Sequence, residues 1–221
     1  MLDKIKVGII DLGINNIWSI YNAYKKIGCK VNVITEKENL MKYNIVILPG
    51  VGGYKSAIKK IADLKIESDI LRFIEKKSNN YLVGICLGMQ LFYTESNEFG
   101  YSKGMGLIEG KVLKFNKKIC KVSPHMNWNS ILINGNDKIF KKYDKKNFYF
   151  MHSYICQTKD KSNIIGQTKH NGQKFPSIVK KDNIIGFQFH PEKSSSIGLN
   201  LLESITKLIW LKNLITVFQI K

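Results

Sequence analysis

Short apolar runs and amphipathic segments alternate along the amino-terminal half of this sequence. Strand-type runs cover residues 4–11, 30–35, 44–48 and 81–86, and apolar residues recur at helical spacing over 15–27, 55–61 and 65–77. A further helix is expected to start at residue 88 and to run to about residue 94. Strands that alternate with helices in this way predict a mostly parallel sheet that is covered by helices on both faces.

The carboxy-terminal half has a different pattern. Short strand-type stretches at 111–115, 129–133, 148–152, 164–169, 177–180 and 184–190 are separated by turns rich in Gly, Asn, Asp and Lys, which predicts added antiparallel strands. We expect a helix over 195–211 and then a frayed strand, because the apolar stretch 208–220 is too short to span a membrane. No repeat or linker divides the chain, so we expect a single α/β domain over residues 1–221.

The charge of the chain is unusually one-sided. Its 221 residues include 35 basic and 17 acidic side chains, a net charge of +18, and Arg72 is the only arginine. Specific reading of nucleic acid relies on the planar guanidinium, so a dispersed lysine excess favours a solvated surface over a nucleic-acid site. A basic entrance for an anionic ligand stays open as an alternative. We therefore expect neither nucleic acid nor a membrane as a partner.

Cysteine usage indicates the redox environment. The four cysteines show neither paired spacing nor partner histidines: Cys29, Cys86, Cys120 and Cys156. This pattern predicts neither a zinc site nor a disulfide framework, and we expect no metal and no cofactor. The first strand follows Met1 almost directly, without a signal peptide, so the expected location is the reducing cytoplasm.

The strongest local signal surrounds Cys86. An apolar strand ends at this cysteine, a helix begins within two residues, and Gly84 and Gly88 flank it. This is the arrangement of a nucleophile elbow with sulfur in place of oxygen, in which the tight turn exposes the nucleophile and the helix offers amide donors to an oxyanion. A buried structural cysteine at the end of a strand is the alternative.

A second signal lies about a hundred residues downstream, where His190 closes an apolar strand and Glu192 follows after Pro191. In extended backbone, residues i and i+2 project to the same side, so the carboxylate is expected to reach one ring nitrogen of His190. The other nitrogen would then be free to take a proton from Cys86. A strand-end histidine with a structural role is the alternative.

A third signal is the glycine-rich segment that follows the strand at 44–48. Gly50, Val51, Gly52 and Gly53 come directly after Pro49. Such a loop at the carboxyl end of a parallel strand can aim backbone N–H groups at an anion, and with the Leu87 amide it could form an oxyanion hole. A plain tight turn is the alternative.

Taken together, these segments show that the chain resembles the class I glutamine amidotransferases, and among them the glutaminase subunits of imidazole glycerol phosphate synthases. Five segments carry the resemblance: PGVG at 49–52, GICLGMQ at 84–90, PHMNWN at 124–129, YFMHSY at 149–154 and GFQFHPEKS at 186–194. They extend in order along residues 4–210. The resemblance implies a flavodoxin-like, doubly wound, mostly parallel sheet with added antiparallel strands.

The resemblance also implies the roles of the residues. Cys86 would attack the side-chain amide of glutamine, His190 would be the general base, and Glu192 would orient it. The oxyanion and the glutamine would be held by a further set of residues: Gly50, Val51, Gly52, Leu87, Gln90, Glu98, Ser153 and Tyr154. In this family the loop at 50–52 reorients when the synthase partner is loaded, and the thioester that forms on the cysteine is hydrolysed by water.

A partner subunit is implied as well. The family docks on a cyclase of (β/α)8 type as a heterodimer, channels ammonia to it, and produces imidazole glycerol phosphate and an aminoimidazole carboxamide ribotide in histidine biosynthesis. Asn16, Trp128 and Lys193 match positions that face this partner, although core packing of Trp128 and a solvated Lys193 are alternatives.

One departure from the family leaves a second function open. Asn127 stands where relatives usually carry glycine, and we expect it to keep a left-handed turn, which asparagine tolerates best after glycine. Because Asn127 lies at the expected interface, the chain could instead be a paralogous glutaminase that supplies ammonia for the amidination of a surface-glycan sugar.

Overall fold

The computed structural model describes residues 2–13, 17–75 and 80–219, with side chains to residue 212. Five α-helices are present in these ranges: α1 Ile17–Ile27, α2 Tyr54–Asp63, α3 Glu67–Glu75, α4 Leu87–Leu91 and α5 Ser195–Gln219. Short 3-10 helices lie at Leu2–Lys4, Leu40–Lys42, Lys141–Tyr143, Lys161–Asn163 and Pro191–Lys193.

The strands of the described residues fall into three sheets. In chain order they are β1 Lys6–Ile10, β2 Lys30–Ile34, β3 Ile45–Leu48, β4 Tyr81–Ile85, β5 Tyr93–Ser96, β6 Ser102–Lys103, β7 Ile108–Lys114, β8 His125–Ser130, β9 Leu132–Ile133, β10 Asn147–His152, β11 Tyr154–Thr158, β12 Ile164–His170, β13 Gln173–Lys181 and β14 Ile184–Phe187.

The largest sheet has the order β2-β1-β3-β4-β14-β13-β12-β9. Its first five strands are parallel, in the 2-1-3-4-5 order of flavodoxin-like folds, and the last three are antiparallel. The expected doubly wound sheet with added antiparallel strands is therefore confirmed. Since β4 and β14 are neighbours and parallel, the segments that follow them meet at one edge of the sheet.

Alternation along the central strands explains the two layers of the core. Val83 and Ile85 of β4 belong to one apolar cluster, while Leu82 belongs to the other, on the opposite face of the sheet. All residues of β3 and β4 are buried, as expected for strands covered on both faces. The remaining strands form two small sheets, β10-β8 and β11-β7-β5-β6.

Several predicted boundaries were wrong. Helix α4 ends at Leu91, and Tyr93 already begins strand β5, which pairs in parallel with β7. Strand β14 ends at Phe187 rather than at residue 190, and the stretch predicted at 129–133 is divided between β8 and β9. Strands β5, β6 and β11 were not predicted, because their apolar positions do not alternate strongly.

The carboxy-terminal segment was also predicted wrongly. Instead of a frayed strand after residue 211, α5 continues as a helix to Gln219. No glycine or proline follows Leu211 to end the helix, and leucine and isoleucine sustain it. Within the described residues, no helix is long and apolar enough to cross a membrane.

Candidate active site

Cys86 lies at the turn between β4 and α4. Its backbone adopts φ 53° and ψ −106°, and its N–H donates to the Phe187 carbonyl at 2.7 Å. A non-glycine residue with positive φ in such a turn is strained and is found mostly at functional positions. The thiol lies 3.6 Å from the Met151 carbonyl oxygen and 3.8 Å from Gln188 Nε2. The sequence prediction of an elbow at Cys86 therefore matches the observed geometry.

The elbow depends on close backbone approach at two glycines. A Cβ on Gly88 would lie 1.8 Å from the Leu48 carbonyl oxygen, and one on Gly50 would lie 2.5 Å from the Leu87 Cβ. Neither site has room for a side chain. The glycines therefore let helix α4 pack directly against the end of β3, which brings the 50–52 loop beside Cys86.

His190 interacts with Cys86 and pairs with Glu192, although not by the predicted geometry. Glu192 belongs to a 3-10 turn that Pro191 begins, not to extended backbone, and its Oε1 lies 2.8 Å from His190 Nδ1. Both side chains are almost fully buried, at 2% and 1% exposure. The predicted pairing is present because the turn folds the carboxylate back onto the ring.

The charge state of His190 follows from its neighbours. Burial alone lowers the pKa of His190, but the negative charges of Cys86 and Glu192, together with hydrogen bonds to both, outweigh burial and raise it to about 10. His190 Nε2 has no hydrogen-bond partner of standard geometry within the described part of the chain. His190 therefore holds a proton more strongly than a free imidazole does, and its Nε2 is available for proton transfer.

The glycine-rich loop is observed in a closed arrangement. The Leu87 N–H, a predicted oxyanion donor, donates to the Gly50 carbonyl at 3.4 Å. Gly52 has φ +120°, a conformation that favours glycine. An oxyanion at Cys86 therefore competes with the Gly50 carbonyl for this amide until the loop moves.

A cavity of about 330 Å³ opens onto Cys86. Its lining includes every predicted glutamine-binding and oxyanion residue except Gly50: Val51, Gly52, Leu87, Gln90, Glu98, Ser153 and Tyr154. Glu98 Oε2 accepts the Tyr54 N–H at 2.8 Å, at the start of α2. Burial raises the pKa of Glu98, against this hydrogen bond, which lowers it. The cavity thus combines a carboxylate and amides with the nucleophile.

Comparisons with known proteins agree with this geometry. A family model described as class-I glutamine amidotransferase matches residues 8–205. The chain is 41% identical over 204 residues to imidazole glycerol phosphate synthase subunit HisH of Archaeoglobus fulgidus, covering 92% of this chain and 98% of that protein. The chain belongs to the class I glutamine amidotransferases and, within them, to the HisH family.

Further relatives extend the match. The protein of the same name in Helicobacter hepaticus is 37% identical over 221 residues, covering 94% of this amidotransferase and 100% of that chain. Among solved structures, PurLQS from Thermotoga maritima has a TM-score of 0.75 at 21% identity, covering 93% of this chain and 99% of that one. At that identity the structural likeness shows the fold alone.

The three residues predicted to face a partner subunit are placed to different extents. Asn16 lies outside the described residues. Trp128, on β8, is 45% exposed and contacts the ring of Tyr149, and Lys193 is half-buried one residue after Glu192. For Trp128, the alternative of core packing is wrong, because the side chain lies at the surface of the amidotransferase.

The expectation for Asn127 was wrong. It lies within strand β8, paired with Phe150, and its backbone is not left-handed. Its side chain is at the surface, and its Oδ1 accepts the N–H of Trp128 at 2.8 Å. The amide is therefore at the surface of strand β8, and no turn depends on it.

Sequence reasoning did not assign a role to three polar residues near the site. His125, His152 and Gln188 are buried and belong to a hydrogen-bond network that reaches the cavity. Each lies within a segment that carries the family resemblance. A polar residue within an otherwise apolar stretch, as Gln188 is between Phe187 and Phe189, was the available signal, because a buried polar side chain needs a hydrogen-bond partner.

Proposed function

We propose that this chain is the glutaminase subunit of an imidazole glycerol phosphate synthase in histidine biosynthesis, which hydrolyses glutamine to glutamate and ammonia. The observation that carries the proposal is the convergence of Cys86, His190 and Glu192 at the carboxyl ends of the neighbouring strands β4 and β14. The similarity to subunits of imidazole glycerol phosphate synthases supports the choice of pathway.

The first half of the reaction acylates the cysteine. The Cys86 sulfur attacks the side-chain carbonyl carbon of glutamine, forming a C–S bond and a tetrahedral oxyanion. The imidazolium of His190 gives its Nε2 proton to the amide nitrogen, the C–N bond breaks, and ammonia leaves. Glu192 stabilises the imidazolium through its 2.8 Å contact with Nδ1.

The second half hydrolyses the thioester. Neutral His190 takes a proton from water, whose oxygen attacks the thioester carbon. Collapse of this second tetrahedral intermediate breaks the C–S bond, releases glutamate, and restores the Cys86 thiolate beside the imidazolium. Glutamine and water are consumed, and glutamate and ammonia are produced, so the triad is unchanged after each turnover.

The closed loop accounts for a latent state. While the Leu87 N–H is bonded to the Gly50 carbonyl, it is not available to the oxyanion. Rotation of the Gly50–Val51 peptide would release this amide and turn the Val51 N–H toward the site. One oxyanion donor is worth about 2.7–4 kcal/mol of transition-state stabilisation, so this single rotation can switch the rate by orders of magnitude.

A synthase subunit of (β/α)8 type is the partner we propose to drive this rotation and to receive the ammonia. Met126 and Trp128 alternate along β8 and are 57% and 45% exposed, which leaves an apolar pair at the surface. Strand β8 pairs with β10, whose Tyr149 carbonyl accepts the N–H of His190 at 2.9 Å. The docking surface is therefore one strand away from the triad.

The amidination of a surface-glycan sugar remains an alternative, and it rests on Asn127. Identification of the protein that co-purifies with this chain distinguishes the two: a cyclase supports histidine biosynthesis, and a sugar-modifying synthase supports the alternative.

Replacement of the nucleophile tests the glutaminase activity. We expect Cys86→Ala to lose at least about a thousandfold in glutamate release by the complex with its partner, because no thioester can form. Cys29→Ala is the matched control, since Cys29 is buried and lies outside the cavity. Glutamate release by Cys86→Ala at the wild-type rate would show that the nucleophile is assigned wrongly.

A further inference from the structure

A row of buried polar side chains leads from strand β8 to the glutamine cavity. His125 on β8 and His152 on β10 are paired across the two strands, and their Nδ1 and Nε2 atoms lie 3.2 Å apart. His152 Nδ1 lies 2.8 Å from the Tyr154 carbonyl oxygen. His152 and Tyr154 both line the cavity, whereas His125 lies behind them, next to the exposed Met126.

The direction of each hydrogen bond can be worked out from the far end of the row. Asn129 Oδ1 accepts the N–H of Ser130 at 2.8 Å, and its Nδ2 donates to the Lys169 carbonyl at 3.0 Å, which sets the orientation of the amide. Nδ2 also lies 3.3 Å from His125 Nε2 and can only donate to it. His125 therefore carries its proton on Nδ1 and donates it to His152 Nε2.

The Tyr154 end of the row gives the same proton positions. A carbonyl only accepts, so His152 must carry its proton on Nδ1, which leaves Nε2 as the acceptor for His125. Burial, the largest cause, lowers the pKa of His152 to about 3 and that of His125 to about 4. Both rings are therefore neutral near pH 7, and every ring nitrogen has one partner.

Beyond Tyr154 the row continues to the nucleophile. The Tyr154 carbonyl also accepts Gln90 Nε2 at 3.0 Å, and Gln90 Nε2 lies 3.3 Å from Gln188 Oε1. Gln188 Nε2 lies 3.8 Å from the Cys86 sulfur. One continuous set of hydrogen bonds thus extends from strand β8 to the thiol.

We infer that His152 is a positioning residue: its Nδ1–H holds the Tyr154 carbonyl and, through that carbonyl, the Gln90 side chain in their glutamine-binding arrangement. The inference rests on the proposed glutaminase function and adds one residue to it. Gln90 Nε2 is occupied by Tyr154 and Gln188, so the network determines how the rest of the Gln90 amide is presented to the cavity. Without the His152 donor, the Tyr154 carbonyl has one hydrogen-bond partner fewer, and the Gln90 side chain can rotate away from its observed position.

Two substitutions at His152 distinguish a role of its hydrogen bond to Tyr154 from a role of its side chain in packing alone. In His152→Asn, the amide Nδ2 takes the place of ring Nδ1 and still donates to the Tyr154 carbonyl. In His152→Gln, the amide reaches the place of ring Nε2, keeps the contact with His125, and loses the donor to Tyr154. His170→Gln is the control, because His170 stacks on His125 at 4.0 Å but lies outside the row of hydrogen bonds.

The measurement is inactivation of the full-length chain, in complex with its synthase partner, by a diazoketone analogue of glutamine, which alkylates the nucleophilic cysteine, followed by mass spectrometry. We expect His152→Gln to raise the half-saturating concentration of the analogue about tenfold, with less than about a threefold change in the maximal rate. His152→Asn is expected to stay within about threefold of the wild-type concentration, and so is His170→Gln. Iodoacetamide, which needs no glutamine site, checks that the thiol remains reactive in each variant.

The outcomes are distinguishable. If the wild-type chain reacts with the analogue and both His152 variants weaken its binding equally, His152 has only a structural role and the inference is overturned. An unchanged half-saturating concentration in His152→Gln overturns it as well. If the wild-type chain is alkylated by iodoacetamide but not by the glutamine analogue, the proposed glutaminase function fails, and the inference fails with it.

Discussion

Among single residues, Glu192 shows how a correct pairing can arise from an unforeseen conformation. Its carboxylate reaches His190 through a 3-10 turn, and at 1% exposure it has little solvent to weaken its charge. Because the negative charge stabilises the imidazolium, it helps to raise the pKa of His190. Glu192 therefore controls both the orientation of the ring and its charge.

This control can be measured with Glu192→Gln, which keeps the shape and removes the charge. Without the negative charge the imidazolium is less favoured, so the pKa of His190 falls and the alkaline limb of the pH–rate profile moves to lower pH. We expect kcat for glutamine hydrolysis to fall about a hundredfold. A profile that keeps both its position and its height would mean that Glu192 neither charges nor orients His190.

Among helices and strands, the junction of β3, β4 and α4 places the nucleophile. Helix α4 has only five residues, too few to be stable in isolation, so packing must hold it in place. Gly88 provides that packing by lying against the Leu48 carbonyl. The glycines that flank Cys86 in sequence predict close backbone approach, and the structure shows that the neighbour of Gly88 is the Leu48 carbonyl of β3.

We expect Gly88→Ala to lower the free energy of unfolding by about 3 kcal/mol, because the new Cβ would lie 1.8 Å from a backbone oxygen that cannot yield without moving β3. Gly53→Ala is the matched control. At Gly53 the nearest atom to a Cβ is Ser56 Oγ at 3.8 Å, so its cost should stay below about 1 kcal/mol. Urea unfolding measures both, and equal costs would contradict the packing argument.

For the molecule as a whole, the order of strands in the sheets brings distant segments to one place. Strands β4 and β14 are adjacent although a hundred residues separate them, and β10 joins His190 to strand β8, which carries the exposed Trp128. The lysines that give the net charge of +18 are dispersed along the sequence. Docking at β8 is therefore the route we propose for control of the active site.

We expect the isolated chain to release glutamate slowly and the rate to rise strongly when the synthase partner and its ligand are added. Trp128→Ala should raise the Kd of the complex about tenfold or more, since exposed tryptophans at interfaces carry much of the binding energy. Leu132→Ala is the matched control, because Leu132 is 46% exposed but lies on β9 at the edge of the large sheet. Calorimetric titration measures both variants, and equal losses of affinity would move the docking surface away from β8.

The sequence was sufficient for features that depend on local chemistry. Apolar periodicity indicated the parallel strands, and a cysteine between glycines at a strand end indicated the elbow at Cys86. Both predictions were possible because strands, helices and tight turns depend on residues that are close together in the sequence. The pairing of His190 with Glu192 was also foreseen, since two residues of separation place them within reach of each other in more than one backbone conformation.

Only the tertiary structure decided which backbone carbonyls and amides hydrogen-bond to each other at the active site. The hydrogen bond from the Leu87 amide to the Gly50 carbonyl joins segments that are far apart in the chain. The same holds for the row of hydrogen bonds from His125 to Cys86. Burial then determined the charges: it keeps His152 neutral, whereas His190, equally buried, is protonated because two negative groups lie beside it. Identical side chains differ here because a pKa depends on three-dimensional surroundings, which neighbours in sequence do not specify.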